Sequence, residues 1–359
     1  MRLDDDDTKT QNIPDLDVEE VEYFAEGYSS FEELEEEHGG ILYDGSKLQK
    51  VADCPRKFEL DVVRGLQREG PPPDYMVCGS AVHEALDYFY AHEDPGIHTE
   101  EEAIALARYR WRESGIEKRP PSERNKDHLD EDHIATVLKK YFDHWRRNRV
   151  DIYTPIRGVK MEDLNLDRVL AARFRLTDEG NVIFGESALT MEFDVDGEQL
   201  LLSGRPDLPV RNQTGGIYIM DHKTSQGYLS EWWSRKHQTS NKLRGYMAMM
   251  MSLLELSRLD GALINGIYCG KRAASDSFGG TLSERFEFEF DPDHIREALR
   301  NQLIWQKTIE FYNEQGYWPQ ACAFGGCARP DICTEEPAKR EMKIAGEYEE
   351  DQVTGFQDY

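Results

Sequence analysis

Between Leu200 and Ser225 the chain runs through an apolar stretch, a turn, a glycine pair and a second apolar stretch that ends in charge. Leu200, Leu201 and Leu202 read as a strand, Gly204-Arg205-Pro206-Asp207 as a turn and Gly215-Gly216 as a reversal. Ile217–Met220 then reads as a second strand running into Asp221-His222-Lys223. Asp207 and Asp221 are thereby expected at one end of a hairpin. Side chains alternate along a strand, so Lys223, two residues after Asp221, projects from the same face. A carboxylate pair can hold a hard divalent cation such as Mg²⁺, which takes oxygen ligands and keeps several waters. A neighbouring ammonium can orient a metal-bound water or help deprotonate it. This combination suits the hydrolysis of a phosphodiester.

The flanking sequence predicts helices, then a β-meander, a helix, two strands and a closing helix. Ser46 is the expected cap of a short helix with Leu48 and Val51 on one face, and it stops at Cys54-Pro55 because the residue before proline is pushed out of helical geometry. After the Pro71-Pro72-Pro73 run, an amphipathic helix is expected from Gly79 to about His92, followed by helices over about Glu101–Ser114 and Asp130–Arg147. Strand periodicity begins near Phe184 and strengthens over Leu189–Val195. Asn241–Leu256 reads as helix, Leu263–Cys269 and Glu284–Phe290 as strands, and His294–Gln315 as a long helix. The expected class is α/β, a mixed central β-sheet flanked by helices with an N-terminal helical cap over about residues 71–150 and a core over about 180–300.

The net charge of −27 looks wrong for a nucleic-acid enzyme until it is located. Residues 1–40 hold fifteen acids against two bases, and residues 344–359 hold five acids and no base, so the ends carry −18 and the body between them, 41–343, carries −9. An acidic body of that size still has room for a local basic groove. Both ends are expected to be solvated acidic arms, or alternatively tails that bind a protein partner or mimic DNA. With no apolar run near the roughly 20 residues of a membrane helix, and with MRLDDDD at its start, the chain is expected to be soluble and cytoplasmic. Disulfides are not the first expectation for the six cysteines. Cys322, Cys327 and Cys333 cluster, and three thiolates are one short of the four that zinc or a [4Fe–4S] cluster usually takes.

Pro206-Asp207 followed by Asp221-His222-Lys223 resembles the PD-(D/E)XK nuclease superfamily, with 13 residues between the two aspartates. Gly79-x-x-x-His83-Glu84 resembles the helical histidine motif of its RecB-like branch. The resemblance implies a restriction-endonuclease-like core in which Asp207, Asp221, His83 and the backbone carbonyl of His222 hold Mg²⁺ or Mn²⁺ while Lys223 positions the attacking water. Glu192, in the preceding strand, either faces the same site or is an ordinary surface acid. The branch carries a Q-x-x-x-Y motif; here Tyr246 is present, but its partner position is Lys242, and Gln238 lies eight residues before the tyrosine. With Arg205, these are the expected DNA contacts, amid the basic and aromatic stretch that contains Trp232, Trp233, Arg235 and Lys236. Cys54 resembles the lone N-terminal cysteine of iron–sulfur RecB-like nucleases, among them the CRISPR-associated, AddB and phage exonuclease types. This implies that Cys54, Cys322, Cys327 and Cys333 bind a [4Fe–4S] staple, with Zn²⁺ the alternative. The implied activity is metal-dependent exonucleolytic cleavage of DNA ends or single strands in recombination, end processing or spacer acquisition. The alternative is a non-cutting DNA-binding or assembly subunit that keeps the cysteine-bound metal.

Overall fold

The computed structural model describes residues 19–38, 42–68, 72–92, 97–119, 128–147, 153–275, 277, 279–319, 330–333, 335 and 337–350. The described residues begin with strand β1 (Glu19–Phe24) and helix α1 (Phe31–Glu37), then α2 (Gly45–Asp53), α3 (Pro55–Phe58), β2 (Leu66–Arg68), α4 (Asp74–Ala91), α5 (Ile97–Glu113) and α6 (Glu131–Arg147). Strands β3 (Thr154–Pro155), β4 (Val169–Leu176), β5 (Val182–Val195), β6 (Glu198–Gly204), β7 (Leu208–Arg211) and β8 (Ile217–Ser225) follow. Helices α7 (Glu231–Gln238) and α8 (Asn241–Leu253) lead to β9 (Gly261–Tyr268), β10 (Ser283–Glu289) and α9 (Pro292–Gln315). The last elements are α10 (Pro330–Cys333), α11 (Pro337–Glu347) and β11 (Tyr348–Glu350).

The fold is mixed α/β, but the strands do not share one central sheet. One four-stranded sheet runs β1-β4-β5-β6, all antiparallel, and a five-stranded mixed sheet runs β10-β9-β8-β7-β3; β11 pairs separately with β2. The chain changes sheets at Arg205-Pro206-Asp207. Pairing of β6 with β5 ends at Gly204, and Pro206 has no N–H with which to continue a ladder. The expected hairpin is therefore β7 with β8, turning at Asn212–Gly216, while Leu200–Leu202 belongs to the other sheet. Asp221 and Lys223 sit within β8, which continues to Ser225. Strands β8 and β9 run parallel, with α7 and α8 supplying the crossover that parallel pairing needs. All eight residues of β9 are buried, which is why its sequence is continuously apolar apart from Asn265.

Residues 19–38 depart from the disordered arm expected over 1–40. Strand β1 pairs with β4 along its length, and Phe31 and Leu34 of α1 are buried with Leu42, Ala171 and Leu201. Arg173 meets Glu22 at 2.7 Å and lies over the Phe31 ring at 5.5 Å. The high acid content hid these apolar positions. Asp44, not Ser46, caps α2, its carboxylate accepting from the Ser46 and Lys47 N–H groups at 2.5 and 2.8 Å. Helix α9 starts from Asp291 with Pro292 in its first turn and stops at Gly316, whose φ of +62° suits a left-handed cap. Helices α4, α5 and α6 pack in series, with α4 also against β5 and β8.

Candidate active site

The site is assembled on β8. The pairing of Leu208 with Met220 sets Asp207, one residue before β7, across from Asp221. Asp207 Oδ2 accepts the His222 N–H at 2.6 Å, which fixes its carboxylate against the strand. Asp221 is 1% exposed, and its Oδ2 lies 2.5 Å from Lys223 Nζ. The same ammonium donates to the His222 carbonyl at 3.1 Å. Three expected groups and the expected carbonyl therefore meet on one strand pair.

His83 arrives from α4. Gly79 permits the approach, since a Cβ there would stand 3.2 Å from Thr224 Oγ1 of β8. One turn further, the His83 ring lies edge-on to the His222 ring at 6.0 Å, is hydrogen-bonded to the His222 backbone and feels both Asp221 and Lys223. Lys242, in the first turn of α8, lies over the Tyr246 ring at 5.1 Å and within the field of Asp207 and Asp221. Gln238 is exposed at the end of α7, its carbonyl accepting from Arg244 at 3.2 Å. Of the two candidates for the glutamine position, Lys242 thus faces the carboxylates. Tyr246 is buried beneath Gly204, and its hydroxyl accepts the Arg205 N–H at 3.4 Å. Glu192 lies in the field of Tyr28, beside the N-terminal segment.

The electrostatics separate the carboxylates. Burial, and then the charge of Asp221, push the Asp207 carboxyl up to about 7. Burial also opposes ionisation of Asp221, but Lys223 and Lys242 outweigh it and hold that carboxyl below its usual range. Burial, reinforced by Lys223, lowers His83 to about 4, so its imidazole is neutral at neutral pH with a lone pair to offer. Tyr246, and then Asp221 and Asp207 against the cost of burial, raise the Lys242 pKa and keep it charged.

Two carboxylates, an imidazole and a carbonyl are donors of the kind a divalent cation takes. Asp221 Oδ1 is buried with no hydrogen-bond partner among the described residues, and its other oxygen already takes a cationic group. No three His, Cys, Asp or Glu side chains among the described residues enclose a metal-sized position.

Behind the strand lies a polar network that the sequence did not reveal. Asn265 of β9, 0% exposed, donates through Nδ2 to Tyr141 Oη at 2.9 Å and sits 2.7 Å from His222 Nδ1. Tyr141 Oη and Tyr90 Oη are 2.8 Å apart, Arg285 donates to Tyr90 at 3.3 Å, and the Tyr90 ring stacks on His222 at 5.5 Å. A polar residue inside a wholly apolar strand was the available signal.

Of the expected cysteine ligands, Cys322 and Cys327 lie outside the described residues. Cys54 is buried at the junction of α2 and α3, and Cys333 ends α10. The two neighbourhoods are brought together. Arg56 bonds to the Trp318 and Pro319 carbonyls at 2.9 and 3.1 Å, Phe58 stacks on Trp318, and Ile332 and Ile344 are buried with Leu60 and Leu66.

The raised Asp207 predicts a trade of stability for function. Below about pH 4 the carboxyl is protonated in both the folded and unfolded chains and contributes nothing; as pH rises towards 7 the unfolded chain releases its proton first, so folding is penalised. Asp207→Asn should therefore stabilise the metal-free protein by about 1–2 kcal/mol at neutral pH and by progressively less down to about pH 4. Thermal unfolding in EDTA across that range checks this, and a benefit that does not grow with pH contradicts it.

No curated protein matches this sequence. Among solved structures, the crystal structure of SSO0001 aligns with 76% of this chain and 90% of its own at 12% identity and a TM-score of 0.24. The profile of the PD-(D/E)XK nuclease superfamily matches residues 45–334, which include the whole five-stranded sheet, β4–β6 of the other, His83, Asp207, Asp221 and Lys223. With its motif residues gathered on β8 and that match over most of its length, the chain belongs to the PD-(D/E)XK nuclease superfamily.

Proposed function

We propose that this protein is a cytoplasmic, divalent-metal-dependent DNA exonuclease of the iron–sulfur RecB-like type, acting on DNA ends or single strands in recombination, end processing or spacer acquisition. The observation that carries the reading is the convergence of Asp207, Asp221, Lys223 and His83 around the His222 carbonyl. Asp207, Asp221, His83 and that carbonyl would hold Mg²⁺ or Mn²⁺, which would lower the pKa of a water and offset charge on the phosphoryl oxygens. Lys223, held between Asp221 and the His222 carbonyl, places its ammonium beside the carboxylate to orient the attacking water and take part in its deprotonation. His83 stays neutral and so keeps its nitrogen available. Lys242, charged and braced over Tyr246, binds a backbone phosphate near the cut, as does Arg205, whose N–H donates to the Tyr246 hydroxyl. No helix among the described residues is long and apolar enough to cross a membrane. The acidic N-terminal residues are read as a contact for a protein partner.

The experiment is incubation of labelled single- and double-stranded oligonucleotides with Mg²⁺ or Mn²⁺, with and without free ends. Shortening from an end supports exonuclease action. DNA bound but never cut supports the non-cutting subunit instead.

Cys54, Cys322, Cys327 and Cys333 are read as ligands of a [4Fe–4S] staple, with Zn²⁺ the alternative. The packing of Trp318 and Ile332 against the α3 neighbourhood supports closure at that place. Cys54→Ser should abolish bound iron and acid-labile sulfide and lower stability by several kcal/mol, on the order expected for a structural metal site. Metal analysis of anaerobically purified protein that finds stoichiometric zinc and no iron removes the cluster assignment.

A further inference from the structure

Two aromatic side chains of the segment leaving β8 face solvent, although a tryptophan and a leucine beside them are fully engaged. Leu229 and Trp233 are each 8% exposed and rest on β9 at Gly266, where a Cβ would stand 3.0 Å from Leu229 Cδ2 and 3.1 Å from Trp233 Cζ3. Trp233 also packs on Phe286 at 5.7 Å. The residue preceding each anchor is turned outward: Tyr228 is 58% and Trp232 83% exposed. Tyr228 is held flat on Tyr268, the last residue of β9, with ring centres 5.3 Å apart and planes 19° from parallel. The anchors thus fix the direction in which Tyr228 and Trp232 project, and exposing such large apolar rings in fixed poses is unfavourable unless something covers them.

Their place in the fold suggests what does so. Tyr228 follows the carboxyl end of β8 and Tyr268 ends the adjacent parallel β9, the side of a parallel sheet on which ligands commonly bind. Lys223 lies two residues before the end of β8, about 7 Å along the strand, roughly one nucleotide step. Cations outnumber acids around these rings, with Glu231 and its neighbour Glu284 of β10 on the acidic side. Exposed Arg235 and Lys236 follow Trp232 on α7, and exposed Lys271 and Arg272 follow β9, against Glu231 as the one acid of residues 226–238. Lys236 and His237 lie in the field of Lys223, so this helix borders the catalytic strand.

We propose that Tyr228 and Trp232 form a stacking platform for unpaired DNA bases beside the cleavage site, with Arg235, Lys236, Lys271 and Arg272 tracking the phosphates. Planar rings accept any base, and the flanking cations supply the backbone attraction, so the platform selects single strands without selecting sequence. A paired base in a duplex has its faces covered by its neighbours and gains nothing from it. This inference rests on the nuclease reading and narrows its substrate to DNA with an unpaired strand at the site.

The test measures binding apart from cleavage. In an Asp207→Ala background, fluorescence anisotropy of labelled oligo(dT) should show that Trp232→Ala weakens binding about 10- to 100-fold, with Tyr228→Ala weakening it similarly and Trp232→Phe restoring most of the affinity. Blunt duplex affinity should change by less than about threefold in all three variants. Unchanged oligo(dT) binding by Trp232→Ala, an equal loss for duplex, or tighter binding of oligo(rU) than oligo(dT) each overturns the platform, and failure of the parent protein to bind any oligonucleotide does the same. Mg²⁺-dependent cleavage by the unaltered chain is scored separately. Its presence with unchanged oligo(dT) binding removes only the platform, whereas its absence removes the nuclease reading.

Discussion

Asp221→Ala should reduce Mg²⁺-dependent cleavage by at least about 10³-fold, and Lys223→Ala by about 10²- to 10⁴-fold. Asp221 is the carboxylate held ionised at the centre of the site by Lys223 and Lys242, so its loss removes a cation's anchor and the countercharge of both ammonium groups. Lys223→Ala leaves the carboxylates in place and removes the group that orients the water. Because the two residues act as a unit, the double variant should be little worse than Asp221→Ala alone. Single-turnover rates at saturating Mg²⁺ measure this, with thermal unfolding as the control for folding. A variant at Asp221 that cut DNA at the parent's rate would place the chemistry elsewhere in the molecule.

A marked loss of stability is expected from Asn265→Ala, a change that removes no proposed ligand. Truncation to alanine leaves His222 Nδ1 without its amide partner in a fully buried setting, removes one of the two bonds of Tyr141 Oη, which keeps Tyr90, and opens a cavity behind β8. The orphaned nitrogen costs about 1–3 kcal/mol and the cavity adds to it, so a loss of about 2–4 kcal/mol is expected. His222 supplies the carbonyl that takes Lys223, so activity should also fall, by less than for Asp221→Ala, and should recover in part on cooling as the population of folded protein returns. Denaturant unfolding and cleavage assays at two temperatures check both effects. An Asn265→Ala protein as stable as the parent contradicts the network.

The motif itself was legible because its physics is local. Strand alternation sets Asp221 and Lys223 on one face, proline breaks the ladder before Asp207, and a four-residue helical interval separates Gly79 from His83. Helix and strand boundaries in the second half of the chain were likewise readable from apolar period, as for β9, β10 and α9. Strand β4 escaped because Ala171-Ala172 interrupts its alternation, and the Glu19–Glu37 segment escaped because its few apolar positions sit in a dense acidic background.

Other features depended on partners distant in sequence. Whether Leu200–Leu202 joins the catalytic sheet is decided by hydrogen bonds to β5, which no local pattern encodes. Lys242 rather than Gln238 lies in the field of the carboxylates because it sits on α8, which packs against β8, whereas Gln238 ends α7 in an exposed position. Adjacent Trp232 and Trp233 are identical to any composition measure, yet β9 buries one and leaves the other to solvent. By itself the sequence determined the chemistry available at β8, since alternation and turn preference act between neighbours along the chain. Only the tertiary structure decided which histidine, which lysine and which aromatic rings share the space around it, because that depends on packing between segments far apart in the chain.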